Sequence, residues 1–272
     1  MTTTPLTHIP HDSGAPESAR DFSVEGRVVI VTGAAQGIGR ELARQFAAAG
    51  AFAVVADLDI DKADAVVKEI HDAGGASLAV KVNVADESSV AAMVDTVIET
   101  WGRVDVLINN ASIFATIEKG PFDEIPLEQW EQVLKVNVTG SYLCVRAVAS
   151  HMRAAGFGRI INISSDAVTR GVGNYLHYVT SKSAVIGMTS SLARELGSHG
   201  ITVNCVRPGM VTTEVERDQP AEARARAAAQ QCIPRGMVPT DLVGIMFFLA
   251  TPASAFITGQ TIACDGGYTH SS

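Results

Sequence analysis

Tyr178 and Lys182 stand four residues apart in Tyr-Val-Thr-Ser-Lys. This spacing brings both side chains to one face of a helix, where they can act on a single substrate atom. A phenol is a poor base at neutral pH: its reference pKa is about 10, and lowering it by about three units takes roughly 4 kcal/mol of preferential stabilisation of the phenolate. The ammonium of Lys182 carries charge of the sign required. Ser165 lies thirteen positions before Tyr178, at the end of an apolar run. Ligands collect at the C-terminal ends of strands in an open parallel sheet, and the Ser165 hydroxyl there can orient or polarise a carbonyl. His177 adjoins Tyr178 but is turned about 100° around the helix, so it is not counted among the reacting groups.

A second constellation lies nearer the start. Thr32-Gly33-Ala34-Ala35-Gln36-Gly37-Ile38-Gly39 follows one apolar run and opens a helix. Backbone NH groups and the positive helix end then face a pyrophosphate, with glycines letting the backbone approach closely. A glycine triplet alone carries little weight. It gains weight from its strand, loop and helix context and from an acidic residue after the next apolar run. That residue is Asp57, closing Ala53-Val54-Val55-Ala56. A carboxylate there accepts hydrogen bonds from a ribose 2′-hydroxyl and repels a 2′-phosphate. With no Arg or Lys read nearby to hold a phosphate, the expected cofactor is NAD rather than NADP. Asp57 could instead cap the helix beginning near Ile60, a task equally open to Asp59 or Asp61.

The elements that must position these residues follow from an alternation of short apolar runs and longer amphipathic stretches from Arg27 onward, the pattern of parallel strands joined by crossover helices. The expected class is α/β: a single-domain, doubly wound, Rossmann-like fold with a seven-stranded parallel sheet and helices on both faces. Strands are expected at 27–32, 52–56, 78–83, 104–109, 159–164, 202–206 and 261–264. Helices are expected at 39–49, 61–73, 86–101, 127–155, 174–198 and 240–250. With no Gly/Ser-rich linker and no internal repeat, residues 24–272 read as one domain, preceded by a disordered tail over residues 1–23. The polar, Ala/Arg/Glu-rich stretch from Thr213 to Gln231 breaks the rhythm. It reads equally as a mobile lid or as a solvated surface helix.

Bulk properties narrow the function. The chain has 272 residues, 47% of them apolar, and a formal charge of −8, which argues against nucleic acid because phosphate binding needs a basic face. An anionic membrane surface is disfavoured likewise, and no apolar run is long enough to span a bilayer. The N-terminal residues lack the charged and apolar regions of a secretory signal. Cys144, Cys205, Cys232 and Cys264 are far apart and form no CxxC pair; they are expected to be small buried hydrophobes in a reducing cytoplasm.

Taken together and in order, Thr32 to Gly39, Asn109-Asn110-Ala111, Asn137, Ser165, Tyr178 with Lys182, and Pro208-Gly209 resemble the short-chain dehydrogenase/reductase family. The likeness runs from about Arg27 to Tyr268. It implies a catalytic tetrad: Tyr178 as acid/base, Ser165 as donor to the carbonyl, Lys182 on the nicotinamide ribose, and Asn137 holding a water that links Lys182 to solvent. By itself Asn137 is only a polar residue in an amphipathic helix. The resemblance also implies that Asn109 supports the central sheet, that Asn110 and Ala111 lie by the cofactor, and that Val211 and Thr213, after Pro208 and Gly209, contact the carboxamide. Two positions depart from the family pattern. Asn83-Val84 stands where the family commonly has Asp-Val by the adenine, keeping an acceptor but losing a charge. Ser112 ends a motif that usually ends in Gly, adding a Cβ and a hydroxyl near the nicotinamide.

The reaction expected is interconversion of a secondary alcohol and its ketone, with Tyr178 exchanging the hydroxyl proton and no metal needed. Candidate pocket walls are Ile113, Phe114, Asp166, Val168, Tyr175, His177, Met210 and the segment 214–233. Most are apolar, which suits a mainly hydrophobic alcohol better than a polyanion or a sugar phosphate. The apolar and small surfaces of the two long helices, with the resemblance, imply a homotetramer. Two other readings remain. One is a 3-oxoacyl thioester reductase, disfavoured by Asp57 and by the lack of a basic landing site for an acyl carrier. The other is a non-catalytic NAD-binding regulator, which would not require Ser165, Tyr178 and Lys182 together. An enoyl reductase of this fold would have longer Tyr-to-Lys spacing.

Overall fold

The computed structural model describes residues 21–216 and 221–270. Most of the tail expected over residues 1–23, and the middle of the 213–231 segment, lie outside the described residues. Asp21 and Phe22 are packed on the fold: the Asp21 carbonyl accepts from the Ala253 amide, and the Phe22 ring stacks on Phe248.

Seven parallel strands form one sheet in the order β3-β2-β1-β4-β5-β6-β7. They are β1 (Val28–Thr32), β2 (Phe52–Asp57), β3 (Ala76–Lys81), β4 (Val106–Asn109), β5 (Gly158–Ile163), β6 (Ile201–Pro208) and β7 (Thr261–Cys264). All seven correspond to expected strands. The largest shift is in β3, which starts earlier and ends at Lys81 because its only partner, β2, ends at Asp57. Val82 and Asn83 thereby leave the ladder towards the ligand end of the sheet.

The crossover helices are α1 (Gly37–Ala48), α2 (Ile60–Asp72), α3 (Glu87–Trp101), α4 (Leu127–Leu134), α5 (Ser141–Ala155), α6 (Ala167–Arg170), α7 (Leu176–Leu196), α8 (Ala221–Ala229) and α9 (Val243–Ala250). Alternate residues of β1 point to opposite faces. Val29 and Val31 pack with Leu42 and Phe46 of α1, Val66 of α2 and Met246 of α9, while Val28 and Ile30 pack with Met93 of α3 and Val148 of α5. Both faces are covered, which is why the inner strands are buried and mainly apolar, with Asn109, Arg159, Asn162 and Asn204 as buried polar exceptions.

The helix expected over 127–155 is interrupted. A π-helical turn, Lys135–Gly140, separates α4 from α5. Gly140 is pressed against β3's continuation: a Cβ on it would stand 2.8 Å from Val84 Cγ2. The wider turn, stabilised by the Ser141 hydroxyl donating to the Asn137 carbonyl at 3.1 Å, accommodates that contact. The helix expected from Asn174 begins instead at Leu176, because Asn174 has φ +58°, a left-handed conformation that no helix interior tolerates. Of the cysteines, Cys144 and Cys205 are buried, Cys264 is partly buried and Cys232 is exposed. The last departs from the expected burial because it lies on the surface loop after α8.

At the point where the chain order reverses, between β1 and β4, Gly39 is clamped. A Cβ on it would lie 2.3 Å from the Gly33 carbonyl oxygen and 2.5 Å from Asn110 Nδ2, both fixed by the sheet. Gly39→Ala is therefore expected to destabilise the protein by about 1–3 kcal/mol, read as a lower urea-unfolding midpoint. An unchanged midpoint would mean that α1 can shift away from the sheet without loss.

Candidate active site

The ligand crevice of a doubly wound sheet lies at its C-terminal edge, where strand order reverses. Here that edge opens into a cleft of about 640 Å³. One end is built from the β1–α1 loop. Gly33 and Gly37 have φ of +64° and +60°, conformations in which a side chain is strained. The Thr32 hydroxyl accepts from the backbone amides of Asn110 and Ala111, and the Asn110 side-chain amide donates to the carbonyls of Thr32 and Gly33, both at 2.9 Å. These bonds fasten the loop to the end of β4.

Helix α1 starts without a side-chain cap of its own, leaving amide donors and a positive end facing the cleft. The Gly37 amide donates to the Glu214 carboxylate at 2.9 Å. A carboxylate of this chain thus stands where a helix end attracts anions, and a Cβ on Gly37 would meet Val215 Cγ2 at 3.4 Å. The anion-binding helix end fits a dinucleotide phosphate. At the tip of β2, one Asp57 oxygen accepts from the Ala35 amide at 2.9 Å and the other from the Asp59 amide at 3.0 Å. Capping of α2 falls to Asp59, whose side chain accepts from the Lys62 amide, so Asp57 is not the helix cap. Lys62 is close enough to Asp57 to feel its charge, although the sequence reading counted no cation there. Its ammonium is paired with Asp59 at 2.8 Å. Arg40, facing the same end, is held by Glu69. Leu58, exposed beside Asp57, adds an apolar wall.

At the other end Tyr178, Ser165 and Lys182 share the cleft wall. The Tyr178 ring is buried between Phe114, at 5.1 Å, and Tyr175, at 4.7 Å between centroids. Lys182 Nζ lies 5.8 Å from the Tyr178 ring centroid and donates to the Ile163 carbonyl at 2.9 Å. Burial pulls the Lys182 pKa down to about 8. The Ser165 hydroxyl accepts from the Ala167 amide at 3.2 Å, which orients it at the end of β5. Next to it Asp166 is buried, and burial pushes its carboxyl up while Arg170 draws it back. Arg170 Nη2 donates to Asp166 Oδ1 at 3.3 Å, and its Nε stands 2.9 Å from Oδ2.

Of the other expected site residues, Gln36, Ile38, Asn83, Val84, Ala111, Pro208, Gly209, Val211 and Thr213 line the cleft. Gly39 and Asn137 do not. Gly39 serves close packing, as described above. Asn137 lies beneath the wall: its amide accepts from the Ile113 NH at 2.8 Å and donates to the Ser181 hydroxyl at 3.0 Å. Asn83 Oδ1 is turned into its own loop, accepting from Ala85 at 3.1 Å.

Among the expected pocket walls, Ile113, Phe114, Asp166, Tyr175 and Met210 line the cleft, as does Val215 from the 214–233 segment; Val168 and His177 do not. His177 is fully buried, with no partner for either ring nitrogen among the described residues, and burial lowers its pKa, which keeps the ring neutral. Sequence reasoning missed Leu58, Lys119, Gln132, Val136 and Arg170 on the cleft wall. The available signal was position: Leu58 follows β2 directly, and the others lie on the segments that follow β4 and β5.

Comparison with known proteins gives a consistent picture. Residues 33–269 match the family model described as enoyl-(acyl carrier protein) reductase. The chain is 40% identical to cis-4-hydroxycyclohexanecarboxylate dehydrogenase of Sinomonas cyclohexanicum over 89% of its length and 96% of the relative's. It is also 40% identical to a 3-oxoacyl-[acyl-carrier-protein] reductase of Synechocystis, over 90% and 98%. Among solved structures, 7α-hydroxysteroid dehydrogenase complexed with NADH and 7-oxo glycochenodeoxycholic acid superposes with a TM-score of 0.85 at 32% identity, over 90% of this chain and 95% of that one. A glycine-floored cleft at the strand-order reversal, with Ser165, Tyr178 and Lys182 on its wall, and similarity along nearly the whole chain make this protein a member of the short-chain dehydrogenase/reductase family of oxidoreductases.

Proposed function

We propose that the protein is an NAD-dependent oxidoreductase that interconverts a mainly apolar secondary alcohol and its ketone, with Tyr178 as acid/base. The observation that carries this reading is the sharing of one cleft by Tyr178, Ser165 and Lys182 at one end and Asp57 at the other. A bound nicotinamide supplies or accepts the hydride. Everything else is the work of this chain's residues.

Gly33, Gln36, Gly37 and Ile38 offer backbone to the pyrophosphate, and Asn83, Val84, Asn110, Ala111, Pro208, Gly209, Val211 and Thr213 wall the remainder. Asp57 is oriented by two backbone amides and retains lone pairs for ribose hydroxyls. The cations at that end are already engaged, which supports NAD over NADP. Ser165 donates to the substrate oxygen while Tyr178 exchanges its proton. The positive charge of Lys182 favours the phenolate. The Asn137 carbonyl, which accepts the Ser141 hydroxyl, has a second lone pair for a water that would connect Lys182 to solvent.

Phe114, Val172, Tyr175 and Tyr178 belong to one small apolar cluster, which supports a hydrophobic substrate body. The relative named cis-4-hydroxycyclohexanecarboxylate dehydrogenase agrees with that body. Reduction of a 3-oxoacyl thioester would use the same Tyr178 chemistry, and an equally similar relative favours it. A homotetramer completes the reading: the exposed side of α7 carries Ser183, Ala184, Gly187, Ser190 and Ser191, small residues that let another subunit approach closely. No helix among the described residues is long and apolar enough to cross a membrane, in keeping with action in the cytoplasm.

Purified protein is expected to form NADH from cyclic and aryl secondary alcohols, and Tyr178→Phe to lose at least about a hundredfold in kcat. Turnover of acetoacetyl thioester alone would favour the thioester reading instead. Asp57→Ala is expected to narrow the ratio of kcat/KM for NAD over NADP by about tenfold or more; an unaltered ratio would remove Asp57 from cofactor choice.

Lys182 titrates near 8 when folded and near 10.4 when unfolded, so the unfolded chain binds more protons in between and stability rises with pH across that window. Relative to Lys182→Met, the wild type should gain about 2 kcal/mol from about pH 7.5 to about pH 9.5 in urea unfolding. Parallel pH profiles would show that the ammonium is not desolvated.

A further inference from the structure

The cleft has five charged residues on its wall: Asp57, Lys119, Asp166, Arg170 and Lys182. Four are committed. Asp57 holds two backbone amides, Asp166 and Arg170 face each other, and Lys182 is buried on the Ile163 carbonyl. Lys119 differs. Its ammonium forms no ion pair among the described residues and sits 4.8 Å from the centroid of the Tyr175 ring, at an exposed position.

The segment bearing Lys119 is fixed in place. The Gly120 amide donates to the Asn174 carbonyl at 3.1 Å, the Tyr175 hydroxyl donates to the Phe114 carbonyl at 2.9 Å, and Ile117 is buried in the cluster around Tyr178. Tyr175 in turn stacks on Tyr178 with centroids 4.7 Å apart. The ammonium therefore lies no further from the Tyr178 ring centre than the sum of the two distances, about 9.5 Å. From α4, Gln129 donates to the Glu118 carbonyl at 3.4 Å, and Gln132, one turn on and on the same face, lines the cleft. A hydroxyl-binding point, an apolar floor and a cation thus follow one another along a short path.

Resting on the reading of Tyr178 chemistry above, we propose that the substrate is an alcohol or ketone bearing a carboxylate, and that Lys119 docks the carboxylate. The alcohol end meets Tyr178 and Ser165, the body lies over Phe114, Val172 and Tyr175, and the anionic end reaches Lys119. The distance limits the body to a small ring or a short chain. The acidic surface of the chain does not oppose this, because charges beyond about 8 Å are largely screened at physiological ionic strength.

The test compares hydroxycyclohexanecarboxylates with their carboxamides, which keep the shape and remove the charge. The wild type should prefer the acid by about tenfold in kcat/KM, through KM. Lys119→Met should bring that ratio to about one, Lys119→Arg should retain it and Lys119→Glu should invert it. A wild type indifferent to charge, or a Met variant that loses acid and amide equally, overturns the proposal while leaving the alcohol chemistry standing. If no alcohol turns over, the chemical reading falls and Lys119 is read separately. Calorimetry of cyclohexanecarboxylate and cyclohexanecarboxamide on the protein with NADH should then show acid-selective binding that Lys119→Met abolishes; equal binding of the two overturns it.

Discussion

Where β1 and β4 part, the chain is held at backbone contact. Gly33 leaves no room for a Cβ against Ala111, and Gly39 leaves none against Gly33 and Asn110. Hydrogen bonds from the Asn110 side chain to the carbonyls of Thr32 and Gly33 close the seam. Each such bond contributes about 1 kcal/mol net, and the glycines lose more entropy on folding than other residues would. What results is a single geometry. The amide end of α1 and the wall from Ala111 to Phe114 cannot move independently, so the two ends of the cleft keep their separation.

Beneath that seam, polar side chains buried in the sheet fix the helices that carry the reacting groups. The Asn109 amide donates to Asn162, and Asn162 donates to the Thr189 hydroxyl on α7, both at 2.9 Å. The Ser164 hydroxyl donates to the Lys182 carbonyl at 2.8 Å. Asn137 ties the wall residue Ile113 to Ser181 on the same helix. Buried polar groups are costly unless paired, so this network admits few alternative registers of α7 against β5. Tyr178 and Lys182 inherit their position from it.

The parts of this arrangement that were legible in the sequence are those expressed in period and order. Seven apolar runs separated by amphipathic stretches gave the class, and Tyr178 and Lys182 shared a face because helical spacing is local. Contacts between distant segments were not legible. Gly39 read as one more phosphate glycine, and its close contact with Gly33 and Asn110 was not foreseen. Asn137 read as a polar residue on a continuous helix, because nothing local announces a π-turn that exists to clear Val84. Lys119 drew no notice: its charge matters only through where Tyr175 and Asn174 hold it. Asn174 itself read as the first residue of a helix, although its backbone is left-handed.

The strand order also bears on how the chain is made. Val29 pairs with Ala53 on one side and with Val106 on the other, so β1 acquires its first neighbour early in synthesis and its second much later. Until residues 106–109 have emerged, a strand that will lie inside the sheet is an edge. Its five residues, Val-Val-Ile-Val-Thr, are uncharged and β-branched throughout, and an exposed edge of that kind is a template for other chains. The reversal of strand order that creates a binding cleft thus gives the nascent protein an adhesive seam, and its yield during synthesis depends on how quickly, or under what protection, β4 arrives.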